Sequence, residues 1–217
     1  MVAKRMTFFF IILVLFPGLL LGSAYPGERI AKVRFVYDGD TILLSGGERV
    51  RYLGINTPEI DPEGNRHEFM AIAARRFNIK LVKGKRVRLE FDRQRRDRYG
   101  RLLAYVYLMK TGEMVNALML KNGMAYVLLK KPNLKYKELF LKYQREAMQK
   151  RIGIWSMPFK NEEKFYIGNK NSFRFHRPDC PFAKRINPAK RVMLKNCYEA
   201  FWKGYSPCKR CNPATYK

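Results

Sequence analysis

Residues 30–55 read IAKVRFVYDGDTILLSGGERVRYLGI, and they decide the fold. Apolar and basic residues alternate over 30–36, the period of a strand with one face in a core. Asp38-Gly39-Asp40 is turn chemistry, and residues 41–44 read as a second strand. Gly46-Gly47 then gives a hairpin turn and residues 50–55 a third strand. Phe69, Ile72, Ala73, Phe77 and Leu81 stand at helical spacing, with Gly84 beyond them, which predicts a helix over 68–81. Residues 87–91 and 102–108 are two more strands, 115–121 a short helix stopped near Gly123, and 124–129 a last short strand. Asn133 is placed to cap a helix bearing Tyr136, Leu139, Phe140, Tyr143 and Ala147 and ending at Gly153. Short strands in this order, with a helix inserted after the third, predict a small closed barrel, mainly β with helices.

Around this block the chain has 217 residues, room for one medium domain and a small one, and 47% apolar residues, ample for a core. Lys and Arg number 44 against 18 acidic residues, a net charge of +26. Such an excess calls for an anionic partner, nucleic acid first and an anionic membrane surface second, and is silent on catalysis. There is no internal repeat and no low-complexity tract. Lys4 and Arg5 precede an apolar stretch over 8–21, followed by Gly22-Ser23-Ala24. That is the layout of a secretory signal over 1–24, so export is expected, with an uncleaved membrane anchor as the alternative. Cleavage after Ala24 removes two basic residues and no acidic one, leaving +24.

Four segments stand out between the strands: 36–41 (VYDGDT), 50–59 (VRYLGINTPE), 97–101 (DRYGR), and the Lys131-Pro132-Asn133 helix entry with Gly153-Ile154-Trp155 at its end. Phosphodiester hydrolysis needs a hard cation on oxygen ligands, a carboxylate for the attacking water and guanidiniums for the growing phosphoryl charge. Asp38, Asp40, Asn56 and the Thr57 carbonyl are candidates for the first, Glu59 for the second, Arg51 and Arg101 for the third. Taken singly, each has a bland reading as a turn, a solvated face or a helix entry; their joint order carries the weight.

In that order the segments resemble the staphylococcal nuclease family over residues 30–155. The resemblance implies a five-stranded OB barrel with three helices over residues 28–155, and a nuclease cutting DNA and RNA. It implies calcium at Asp40, Asn56 and the Thr57 carbonyl, with Asp38 acting through water. It further implies Glu59 as general base, Arg51 and Arg101 as transition-state arginines, and cleavage that leaves 3′-phosphate ends. Arg98 and Tyr99 match nucleotide-contacting positions. Two departures stand out. Asn56 replaces the aspartate of the family archetype, which implies weaker calcium affinity or a looser metal preference. Residues 123–132, with Tyr126, Leu128, Leu129 and Lys130, do not match the archetype's nucleotide-flanking tyrosines.

All four cysteines lie in the last quarter of the chain. Residues 156–165 read as a polar linker, and 166–217 as a separate module. His176 and Cys180 form H-x3-C, and Cys208 and Cys211 form C-x2-C, the two pairs separated by 27 residues. Two close pairs of soft ligands suit tetrahedral zinc better than disulfides, although an exported chain permits both. Cys197 falls at a predicted helix start and is left outside the site. The segment resembles the zinc-binding module of the Ada repair protein, with His176 at the position of the methyl-accepting cysteine, so a structural zinc is implied rather than methyl transfer. Lys184, Arg185, Lys190, Arg191, Lys209 and Arg210 flank it and suit DNA backbone contacts. The competing function is a non-catalytic OB-fold and zinc-module binder of nucleic acid in the cell envelope. No obligate protein partner is implied, a monomer is expected, and a membrane enters only if the N-terminal segment is retained.

Overall fold

A computed structural model describes residues 28–64, 66–160 and 162–216. The expected signal over 1–24 lies outside the described residues. Among those described, no helix is long and apolar enough to cross a membrane.

The chain runs β1 (Glu28–Val36), β2 (Thr41–Leu44), β3 (Arg49–Tyr52), β4 (Ile55–Asn56), α1 (Ala71–Val82), β5 (Arg86–Arg96), β6 (Leu102–Leu108), α2 (Val115–Lys121), β7 (Tyr126–Val127) and α3 (Lys137–Gln149). Five strands close into a barrel in the order β1-β2-β3-β6-β5, with β3 and β6 parallel and the other neighbouring strands antiparallel. This is the five-stranded OB barrel with three helices that the resemblance implies. Period-two alternation buries Ile42, Leu44, Val50, Tyr52, Val87 and Leu89. It turns Arg51 away from that core, toward the rim where the acids lie.

Several elements differ from expectation. The third strand breaks after Tyr52 because Gly54 takes φ +75° against the Phe140 ring, where a Cβ would come within 2.5 Å. The chain therefore turns out of the barrel, and β4 pairs with β7 instead, which shortens the expected strand 124–129 to two residues. Helix α1 starts at Ala71, not at residue 68, because Met70 is left-handed at φ 68°. Glu68 serves the preceding loop instead: its carboxylate accepts from Glu59 N at 2.8 Å and its own N–H donates to Glu59 O at 3.1 Å. Asn133 does not cap α3, whose N-cap is Tyr136. Its amide bridges to Gln94 of β5, accepting from Gln94 N and donating to Gln94 O, both at 2.8 Å.

Behind the barrel follow β8 (Phe159–Lys160), β9 (Tyr166–Asn169), β10 (Arg174–His176), α4 (Pro181–Lys184), β11 (Arg191–Leu194), α5 (Cys197–Trp202), β12 (Ser206–Pro207) and β13 (Thr215–Tyr216). Four of these strands form a sheet in the order β11-β9-β10-β12, and β8 pairs with β13. The span expected as a linker thus contains a paired strand, and Phe159 is buried with its ring stacked on Phe201 at 5.2 Å. A second apolar core joins Ala147 and Met148 of α3 to Phe175, Phe201 and Tyr205 of the tail. Buried Gln144 ties the two halves, accepting from Val127 N at 2.6 Å and donating to Phe201 O at 2.5 Å. A buried amide bonded at both its oxygen and its nitrogen costs stability if either partner is lost.

On the barrel wall Glu90 accepts from Tyr107 at 2.9 Å, from Tyr136 at 3.0 Å and from Lys135 at 2.6 Å. Burial works to raise its carboxyl, but Lys135 and the two phenols overcome it and hold it below the ordinary value of 4.5. A depressed folded-state value means the stabilisation is complete above the unfolded value and is lost as pH falls through the folded one. Glu90→Gln is therefore expected to lower the melting temperature at neutral pH, with the gap to wild type shrinking as pH falls below 4.5. A gap that widens in acid contradicts the sign.

Candidate active site and metal centre

Antiparallel pairing sets Thr41 of β2 opposite Arg51 of β3, so Asp40, one residue before the strand, meets the arginine head. Arg51 Nη1 lies 2.5 Å from Asp40 Oδ2, and Arg51 Nη2 donates to Asn56 Oδ1 at 2.7 Å. Nη1 has no well-aligned hydrogen-bond acceptor despite being buried. Asp40 Oδ2 also accepts from Thr57 N at 2.8 Å, and Asp38 Oδ1 accepts from Asp40 N at 2.9 Å. Gly39 permits this turn: a Cβ there would stand 2.5 Å from the Thr57 side chain and push the corner off Asp40. Burial pushes the Asp40 carboxyl up to about 7 against the pull of Arg51, with Asp38 and then Glu59 adding to the rise. Crowded acid groups of this kind, beside amide and carbonyl oxygens, suit a hard divalent cation. Asp38, Asp40, Asn56 and Thr57 are thus gathered at one rim of the barrel.

The amide of Asn56 is oriented unambiguously. Its oxygen faces a guanidinium, which only donates; its nitrogen donates to Thr57 O and to Tyr126 Oη, both at 2.9 Å. An aspartate at this position would set oxygen against the Thr57 carbonyl unless a cation lay between them. Asparagine instead satisfies that carbonyl by itself.

Glu59 follows on the loop after β4, with its side chain 52% exposed and Oε1 2.8 Å from Lys209 Nζ. It lines a cavity of about 210 Å³ together with Asn56 and Tyr126. The parallel β3–β6 register sets Arg51 opposite Leu103, which brings Arg101 to the same rim. Arg51 and Arg101 line one cleft of about 120 Å³. Asp97 holds Arg101 through Nε and Nη2, each at 2.8 Å, and its other oxygen accepts from Tyr99 N and Arg101 N. Arg98 and Tyr99 lie at the tip of this hairpin, with Tyr99 62% exposed, its hydroxyl accepting from Arg98 at 2.6 Å and its ring centroid 5.6 Å from Arg101 Cζ.

In the tail the ligand atoms of His176, Cys180, Cys208 and Cys211 all lie within 4.8 Å of one another. Bond lengths of about 2.3 Å to sulfur and 2.0 Å to nitrogen place tetrahedral neighbours about 3.6 Å apart. His176 Nδ1 and Cys180 Sγ are 3.6 Å apart. Burial, then Arg174, lowers the His176 value, which favours the neutral ligand form. Burial opposes ionisation of Cys180, but the backbone N–H groups of Ala183 and Phe182 at the start of α4 prevail and bring the thiol down. Burial pushes Cys211 up to about 12, and a cation beside its sulfur would favour the thiolate. None of the four cysteines is disulfide-bonded. Cys197 lies outside this cluster, buried in the second core with its thiol donating to Pro213 O at 3.2 Å. The donor set fits zinc.

Sequence reasoning missed two contacts of the site, the Tyr126 hydroxyl on Asn56 and Lys209 on Glu59. The second bridges 150 positions, and no local signal announces it.

An OB barrel with acids, amide oxygens and two guanidiniums at one rim defines a class, hydrolases of nucleic-acid phosphodiesters. Residues 49–157 match the family model for staphylococcal nuclease homologues, and residues 158–214 match the metal binding domain of Ada. The chain is 41% identical to a thermonuclease of Staphylococcus intermedius over 126 residues, 57% of this chain and 74% of that protein. It is 36% identical to a thermonuclease of Staphylococcus hyicus over 138 residues, 62% and 80% of the two chains. It is 40% identical to endonuclease YncB of Bacillus subtilis over 124 residues, 55% and 58%. The chain belongs to the staphylococcal nuclease family, and it is a nuclease with a metal-binding tail of the Ada type.

Proposed function

We propose that the protein is an exported, calcium-dependent nuclease that hydrolyses DNA and RNA through Glu59, Arg51 and Arg101. The observation that carries this is the single rim on which Arg51 touches both Asp40 and Asn56, shares a cleft with Arg101 and lies beside the Glu59 cavity. Asp40, Asn56 and the Thr57 carbonyl would hold the calcium, with Asp38 reaching it through water, and the ion when bound supplies Lewis-acid polarisation of the phosphate. Glu59 takes a proton from water as its oxygen bonds to phosphorus. Arg51 and Arg101 donate to the phosphoryl oxygens as negative charge builds there. The bond to the 5′ oxygen breaks, and that oxygen takes a proton from solvent, leaving a 3′-phosphate. Export rests on the pattern of residues 1–24, by cleavage or as a retained anchor.

Asn56 sets the metal requirement. Asn56 carries one formal charge fewer than an aspartate, its Oδ1 already accepts from Arg51 and its Nδ2 occupies the Thr57 carbonyl, so calcium competes with internal hydrogen bonds at both ligand oxygens. Cleavage of plasmid and RNA in a calcium titration, with end-group analysis of the products, tests the proposal. Calcium-dependent cutting to 3′-phosphate ends is expected, with Asn56→Asp lowering the calcium needed. Cutting that persists at full rate in a calcium chelator, or products with 5′-phosphate ends, would overturn it.

A further inference from the structure

The geometry points to the zinc-type knuckle as the second wall of the catalytic cleft, with Lys209 at its tip binding a backbone phosphate of the nucleic-acid strand beside Glu59. Glu59 enters with the role proposed for it above, on which this inference rests and which it extends to the substrate strand. Lys209 Nζ lies 2.8 Å from Glu59 Oε1 across 150 positions of chain. The cavity there is built from both halves of the molecule, Asn56, Glu59 and Tyr126 on one side and Pro207, Lys209 and Asn212 on the other. Glu59 and Glu68 also make it acidic, and among the described residues lining it Lys209 is the one cation. A phosphate entering this space meets repulsion from two carboxylates unless an ammonium offsets it.

The placement of Lys209 is fixed rather than incidental. It stands between two ligands of the metal-type cluster, Cys208 and Cys211. Cys208 N donates to Phe175 O and Asn212 N donates to Cys208 O, both at 2.9 Å. The whole tail is held to the barrel through Gln144 and through the Tyr126 and Phe201 rings, 5.4 Å apart. The side chains, by contrast, are open to solvent, 73% for Lys209 and 52% for Glu59. Exposed ion pairs of this kind contribute little, so Lys209 exchanges Glu59 for a phosphate oxygen at low cost and leaves the carboxylate to water. A lysine is a point donor to phosphate, indifferent to base identity, which predicts affinity without sequence preference.

The test is binding of a short fluorescein-labelled single-stranded DNA to the full chain by anisotropy across a salt titration. The buffer omits calcium and contains no chelator, so that cutting is suppressed and the tail metal is kept. Lys209→Ala is expected to weaken binding about fivefold to tenfold and to reduce the salt slope by about one, as the loss of a phosphate contact does. Lys209→Arg should bind like wild type, and Lys110→Ala, an exposed lysine in the turn after β6, should leave affinity near wild type. With calcium present, Lys209→Ala should raise KM and leave kcat within about twofold. Unchanged affinity and slope would overturn the inference, as would a rise in kcat on removing Lys209, which marks the ion pair as a latch on Glu59. Failure of the catalytic reading looks different: there Glu59→Gln still cuts, whatever Lys209 does to binding.

Discussion

Replacing Arg51 by alanine is expected to lower kcat/KM on plasmid DNA by about 10³-fold, the scale of losing one preorganised donor to a developing oxyanion. The same substitution strips the buried Asp40 carboxyl of its cation, which lies 2.5 Å away in the wild type. Breaking a buried pair from one side costs about 3–5 kcal/mol of stability, so activity must be measured beside melting. The two effects separate in a double variant. Adding Asp40→Asn to Arg51→Ala removes the stranded charge and should return much of the melting temperature. It should return none of the activity. Arg51→Lys keeps a charge without the fork that spans Asp40 and Asn56, and should remain far below wild type. Full activity in Arg51→Lys would show that the planar geometry does not matter.

The second large effect belongs to the tail. The purified protein is expected to carry one equivalent of zinc, lost in Cys208→Ser. Structural zinc sites contribute folding free energy directly, because the ligands are not gathered in the unfolded chain. Here the loss spreads, since the tail shares its core with α3 and Gln144 bonds across the boundary. Cys208→Ser is therefore expected to lower the melting temperature by about 10 °C or more, the equivalent of several kcal/mol in a chain of this size. Hydrogen exchange should rise first in β9 to β12. Cys197→Ser, by contrast, should keep its zinc, because that thiol bonds Pro213 O away from the cluster. A non-reducing mass spectrum with two disulfides would contradict the assignment.

Where the residue pattern is regular, the sequence is a good guide to this structure. The expected spans 41–44, 102–108 and 115–121 coincide with β2, β6 and α2 because their apolar periodicity runs unbroken between turn residues. Strand β5 runs five residues past its expected end, to Arg96, because the apolar alternation stops at Phe91 while the backbone pairs again at Arg96 with Leu102. Asn133 reads as a helix cap because of its position, yet its amide finds a two-sided partner in Gln94, 39 residues away. The candidate ligands and arginines of the nuclease site are legible because turn, strand and loop motifs carry each of them locally. The Tyr126 hydroxyl on Asn56 arises from the pairing of β4 with β7, 70 positions apart, and the ammonium of Lys209 on Glu59 from packing of the tail on the barrel, neither of which a local pattern encodes.

The most direct measurement is single-turnover cleavage of a defined DNA strand in saturating calcium by wild type and Glu59→Gln, with binding measured on the same samples. A cleavage rate at least about 10²-fold lower is expected for Glu59→Gln, the usual worth of a positioned general base, with affinity for the strand preserved. Equal rates for the two proteins would contradict it.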